Sequence, residues 1–333
     1  ITALISLYNL PGFHEVPKMY ISAYEATIDR TTSSTPKLAS VVNKTANFRG
    51  GNNNSAWDGT YRSLLGLPAT QTSLTNFRKY ARNRGEAGLN GCGWNCNLYA
   101  AQVAMYWLYV IEYANRNCQA AYNAEPTSEG YKQGGLGDGV TTLNASKWNT
   151  YNSYYPFVPC GFTNSLGNRS GVVEFTMPDE YDTGVVTKVK VPSYRGVENP
   201  FGHLWKWTDG CKCEIQSDTD GALSKFYVCL DPSKFQDSSY NDYDMRGELP
   251  RKEGYVKRMM IGEHGDIMPM EVGASSTTHF ADYFYTNIPA SGAAMRGVLF
   301  GGFAYYGASA GLSYANTNNA ASSTLASIGS QLY

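Results

Sequence analysis

The last 37 residues, 297–333, contain no Asp, Glu, Lys, Arg, His or Pro, and Ala, Gly, Ser, Tyr, Asn and Thr occupy 28 of those positions. A segment of this kind has few folding options. One is a flexible Gly/Ser tail, but Leu312, Leu325, Ile328 and Leu332 recur through it like the anchors of an ordered segment. The other is an uncharged strand–loop–strand. Exposed on such a loop, Tyr and Phe offer large contact area at low entropy cost, while Ser and Asn supply adaptable hydrogen bonds. The bias extends upstream, with 26 Tyr and 34 Gly in the 333-residue chain.

Residues 18–28 are aromatic and β-branched and read as an early strand, whereas 31–55 are small and polar and read as loop. Residues 73–84 place Leu74, Phe77 and Ala81 on one helical face, with Gly85 as the stop. Asn97 is positioned to cap a second helix running to about residue 115. Because that helix is apolar nearly all round, it is expected to be the most buried element. Its apolar run, residues 98–111, falls short of the roughly 20 residues needed to cross a bilayer, so no membrane insertion is expected.

Residues 127–171 show no clear period and are expected to form a long insertion with little regular structure. Short strands are expected at 172–177, 185–191, 203–207, 225–229, 280–285 and 294–300, with 237–252 as polar loop. Two early helices and many late strands, without a βαβ rhythm, define an α+β class. The length allows one elaborated domain or two ordinary ones.

Several chemistries find no support. A net charge of −1 gives no reason to expect nucleic acid, which demands a basic face. Seven cysteines (Cys92, Cys96, Cys118, Cys160, Cys211, Cys213 and Cys229) leave an odd one under full pairing and lack zinc-site spacing, so mostly free thiols are expected. The glycine-rich stretch 129–139 lacks the Gly-Lys-Ser/Thr ending of a phosphate loop. The four histidines are scattered and no Gly-x-Ser-x-Gly elbow is present. Asp218-Thr-Asp220-Gly221 offers hard oxygens but lacks calcium-loop spacing, and reads as a tight turn. Trp205 and Trp207 share one side of a strand, with core packing as the default role. No cofactor is expected.

Arg296-Gly-Val-Leu-Phe-Gly-Gly-Phe-Ala-Tyr-Tyr-Gly-Ala-Ser-Ala-Gly311, closing with Ile328-Gly-Ser-Gln-Leu332, resembles the variable region of proteins diversified by diversity-generating retroelements. In that family a reverse transcriptase mutates adenines, so Asn-type codons never yield Lys, Glu, Gln, Met or Trp, and residues 297–330 contain none of the five. Upstream, the stretches 16–27, 54–65, 129–137 and 195–207 are similar to the gut Bacteroidales phage and prophage branch.

The resemblance implies a single elaborated C-type-lectin-like domain over residues 1–333, with two early helices, short antiparallel strands, an insertion at about 120–170 and a variable binding segment at 297–333. Carried over position by position, it makes Gly301, Gly302, Gly307, Gly311 and Gly329 the fixed scaffold. The diversified contacts become Phe303, Tyr305, Tyr306, Ser309, Ser313, Tyr314, Asn316, Asn318, Ser323, Leu325 and Ser327, each expected to be exposed. The implied function is non-enzymatic recognition of a host cell-surface protein or glycan from a virion's tail or head fibre, or from a bacterial surface, with a homo-trimer as the candidate assembly. Two other readings stay open. One is a structural capsid or fibre component. The other is a formylglycine-generating oxidase, which shares the fold but needs a late cysteine pair, and no cysteine follows Cys229.

Overall fold

A computed structural model describes residues 19–30, 35–43, 65–85, 93–122, 143, 145–177 and 188–333. The fold is α+β. Its first elements are a short ribbon of β1 (Thr27–Asp29) and β2 (Lys37–Ala39), followed by α1 (Leu74–Arg82) and α2 (Tyr99–Tyr113). After α3 (Ala145–Asn152) comes a three-stranded sheet of β3 (Gly171–Thr176), β4 (Lys188–Tyr194) and β5 (Val197–Glu198).

The main sheet has nine strands. Its members are β6 (Trp205–Gln216), β7 (Ser224–Val228), β8 (Asp244–Glu248), β9 (Gly254–Ile261), β10 (Asp266–Val272), β11 (Tyr283–Tyr285), β12 (Ala293–Gly301), β13 (Gly311–Asn316) and β14 (Ile328–Gly329). They run in the order β10-β9-β11-β13-β12-β6-β7-β8, with β14 on β6, and the two ends approach each other to give a near-closed, barrel-like sheet. Pairing is antiparallel except for β11 with β13 and β14 with β6.

Two cores lie against the main sheet. Trp205, Trp207, Leu299 and Tyr314 pack with Leu74, Phe77 and Ala81 of α1 and with Ile28 and Leu38 of the ribbon, so the two tryptophans share one side and build core. The other core sets Tyr99, Met105, Tyr106 and Tyr109 of α2 against Phe226, Phe284, Phe300 and Leu312. A third cluster, Trp148, Phe157, Phe175 and Val191, joins the small sheet to Leu204 and Ala304.

Burial alone cannot hold α1 in place, because its Arg78 lies within the interface. The guanidinium Nε and Nη2 donate to Asp209 at 2.6 and 2.9 Å, and Nη1 donates to Asp237 at 2.9 Å. A buried cation is tolerated only when paired this fully. Residues 22–26 pair with the C-terminal residues: the Ser22 and Ala26 amides donate to the Leu332 and Ser330 carbonyls at 3.0 and 2.9 Å.

Several expectations need correction. Asn97 does not cap α2; the N-cap is Leu98, and the Asn97 amide nitrogen donates instead to Thr208 Oγ1 at 2.7 Å. Nor is α2 the most buried element, since Leu108 and Ile111 are 46% and 64% exposed. Strands β6, buried continuously from Trp205 to Cys213, and β13, buried along its whole length, lie deeper. Within the supposed irregular insertion, α3 forms around the fully buried Trp148. The early strand shrinks to Thr27–Asp29, and strands appear at Lys37–Ala39 and Asp244–Glu248 where loop was expected. The β9–β10 hairpin had no counterpart in the sequence reading.

The Ser73 hydroxyl accepts from the Asn76 amide at 3.2 Å and caps α1, which ends at Arg82, two residues before the expected end. Asp218–Gly221 is a turn, its Asp220 carboxylate accepting from the Gly292 amide at 2.8 Å. The six cysteines among the described residues are free and buried, while Cys92 and the stretch 129–139 lie outside them. No described helix is long and apolar enough to cross a membrane.

Candidate functional site

The uncharged C-terminal segment is ordered throughout, and its two exposed stretches frame Trp205. Strand β12 ends at Gly301, where φ of +103° and +77° at Gly301 and Gly302 turns the chain out of the sheet. A Cβ on Gly302 would meet the Tyr314 ring at 2.9 Å. Residues Ala304–Ser309 then form a 3-10 turn kinked at Gly307, before Gly311 re-enters the sheet as β13. A side chain on Gly311 would be driven into the Asp282 carboxylate and would lie 2.7 Å from Cys118 Sγ. Gly329 faces the Ala69 carbonyl at 3.0 Å from where a Cβ would stand. All five glycines thus sit where a side chain would strain or collide, as their scaffold role requires.

On the turn, Phe303 and Tyr306 rest on Trp205 with ring centroids at 6.4 and 5.5 Å. Tyr305 stacks on Phe303 at 5.7 Å and is 47% exposed. Trp148 braces Phe303 from the α3 side at 5.0 Å. Tyr283 packs on Tyr314 at 5.8 Å and on Tyr255 at 5.0 Å, and the Tyr255 hydroxyl shares a 3.0 Å hydrogen bond with Ser309 Oγ. Burial pushes the Tyr306 hydroxyl up to about 12.

The second stretch, 318–327, is held by its main chain. The Asn319, Ala321, Leu325 and Ser327 carbonyls accept from the amides of Gly297, Leu74, Gln71 and Trp205 at 2.9 to 3.0 Å. Any residue supplies such a carbonyl. Apart from Ala321, which packs on the Trp205 core, the side chains here carry little structural duty: Leu325 is 48% exposed, and Asn318, Ser323 and Ser327 are half-buried.

Three expected contact residues are framework instead. Ser313, Tyr314 and Asn316 are buried, because β13 runs between β11 and β12 with a core on each side. Ser313 Oγ donates to Asp282, Tyr314 packs on Trp205 at 4.6 Å, and Asn316 Oδ1 accepts from the Asn318 amide at 2.8 Å. The closing residues 328–333 are buried too, Gln331 Oε1 accepting from the buried Lys206 Nζ at 2.9 Å. The face expected over 297–333 narrows to 303–309 and 318–327. Phe303, Tyr305, Tyr306 and Ser309 come together on the first stretch, and Asn318, Ser323, Leu325 and Ser327 on the second.

Sequence reading missed Tyr255, Tyr283 and Tyr285, which are half-buried beside the turn. The only signal was the Tyr283-Phe-Tyr285 alternation, with both tyrosines on the side opposite Phe284. No protein-family model matches this chain, and none of the curated proteins is significantly similar to it.

Proposed function

We propose that the protein is a non-enzymatic receptor-binding protein of C-type-lectin-like fold, in which a retroelement diversifies the face formed by 303–309 and 318–327. The observation that carries this reading is the division of labour at 318–327, where backbone carbonyls hold the shape and side chains are left to vary. Tyr305, Phe303 and Leu325 provide rigid apolar contact area of the kind that dominates binding energy, and Ser and Asn surround them. The ligand is a protein or glycan on a host cell surface, and the carrier is a virion fibre or a bacterial surface. Many copies on one particle would raise avidity above that of one site.

Sequencing the codons for residues 297–333 across a natural population tests diversification. Substitutions are expected at Phe303, Tyr305, Tyr306, Ser323, Leu325 and Ser327, with Gly301, Gly302, Gly311, Ser313 and Tyr314 invariant. A segment no more variable than α2 would sink the proposal. Binding is tested by retention of labelled protein on a panel of bacterial cells: the Phe303→Ala/Tyr305→Ala double variant should lose at least about tenfold in affinity, roughly 1.4 kcal/mol.

The framework makes a separate prediction. Ser323→Tyr, Leu325→Asp and Ser327→Asn should each leave stability within about 0.5 kcal/mol of wild type in urea unfolding. Larger losses would mean that these side chains help to hold the loop.

A second reading, a structural virion component, draws on the exposed Leu108 and Ile111 of α2, which would suit a subunit contact. Light scattering separates the two, since a monomer in solution removes both this reading and the homo-trimer.

A further inference from the structure

A cavity of about 800 Å³ opens beside the first turn of α2, against the core on the other side of the main sheet from Trp205. Among the described residues its walls include Trp94, Leu98, Val103, Val228, Leu230 and Pro232. That volume lies in the range of small-molecule sites, which are characteristically apolar with a few convergent polar groups. None of the aromatic-face residues lines it.

Its polar groups include Arg246 of β8, His264 and Asp266, with Asn95 and the tyrosines 20, 99 and 333 also on its walls. The guanidinium Nε and Nη1 of Arg246 are buried and make no hydrogen bond. Asp266 is near enough to feel that charge, but one carboxylate oxygen is engaged by the Tyr99 hydroxyl at 2.9 Å, and that hydroxyl in turn accepts from the Ile267 amide at 3.1 Å. Burial pushes the Asp266 carboxyl up, which weakens it further as a partner for the arginine. A guanidinium out of water with two idle donors is costly unless something anionic meets it. The idle Nε–H and Nη1–H lie on opposite sides of the guanidinium, so a carboxylate would accept from one of them, in a charge-assisted hydrogen bond stronger than a neutral one.

We propose that this cavity is a binding site for an amphipathic carboxylate, with the head group on Arg246 and an aliphatic body against Leu98, Val103, Val228 and Leu230. The proposal is independent of the recognition face, because the two sites share no residue.

Isothermal titration calorimetry with dodecanoate, dodecanol and dodecyltrimethylammonium tests it on the full chain. Dodecanoate should bind saturably at one site, and the neutral and cationic analogues at least about tenfold more weakly. Arg246→Met should weaken dodecanoate at least about tenfold while leaving dodecanol unchanged. Val103→Trp, which fills the apolar end, should abolish binding of both. Each variant's melting midpoint is measured alongside, and Arg246→Lys should retain intermediate affinity in a folded protein. Absence of dodecanoate binding overturns the proposal, as does equal binding of the three probes or an Arg246→Met variant that binds dodecanoate as wild type does.

Discussion

Gly311→Ala should destabilise the protein by about 3 kcal/mol, a substantial fraction of the roughly 5–15 kcal/mol margin of an ordinary domain. The added methyl has nowhere to go. It would enter the Asp282 carboxylate, and Cys118 Sγ stands 2.7 Å from it on the same side. Neither neighbour can retreat cheaply: Asp282 accepts from the Ser313 amide at 3.3 Å as well as from its hydroxyl, and Cys118 Sγ accepts from the Leu312 amide at 2.9 Å. Chemical unfolding of Gly311→Ala beside Ser309→Ala is the measurement. The Ser309 variant, which loses one hydrogen bond on a half-buried turn, should cost no more than about 1 kcal/mol. Similar losses for the two would mean that β13 can shift in the sheet.

The second large effect concerns pH. Burial pushes the Asp282 carboxyl from 3.8 up to about 7, and hydrogen bonds from Ser313 and Cys118 only partly oppose this. Below the unfolded value the group is protonated in both states and stability is unaffected. Between about 4 and 7 the unfolded chain gives up the proton while the folded protein keeps it, so stability falls as pH rises and then levels off. The full change attributable to this residue is on the order of 4 kcal/mol. Buried Asp266 and Glu198 are raised as well and slope the same way, so Asp282→Asn should flatten the profile without abolishing its slope. Urea unfolding at a series of pH values reads this directly. An unchanged slope in the variant would show that Asp282 is ionised in the fold.

Local signals survived the passage from sequence to structure, and signals that depend on distant partners did not. Helix α1 was legible because its apolar face, Leu74, Phe77 and Ala81, lies within eight residues, although it ends at Arg82 with Asn83 as its cap, short of Gly85. The glycines of the C-terminal segment were read through the family resemblance, and only Gly301, Gly302 and Gly307 mark turns of their own backbone, whereas Gly311 and Gly329 are confined by Asp282, Cys118 and Ala69. Burial of Ser313, Tyr314 and Asn316 was not legible, because small polar and tyrosine side chains look like surface until their neighbours are known. For Ser313 the partner is 31 residues earlier, at Asp282. The outer face of α2 misled in the opposite sense: an all-apolar helix reads as fully buried, yet only one side meets the sheet. The β9–β10 hairpin hid behind exposed Lys257, Arg258 and Glu271 and a proline at 269, where the register shifts. The tyrosines 255, 283 and 285 reach the aromatic turn only because β11 lies next to β13 and β9 next to β11, an order no short-range pattern encodes.

The main-chain anchoring of residues 318–327 bears on how a combinatorial library should be built on this scaffold. Randomising Ser323, Leu325 and Ser327 together would alter the exposed chemistry while the carbonyls that anchor the loop stay in place, whereas Phe303 and Tyr306 also pack on Trp205 and tolerate less. Extending the same randomisation to Ser313, Tyr314 and Asn316 would sample mostly unfolded clones. The useful diversity of the segment is therefore set by which atoms hold its shape, and is smaller than its length suggests.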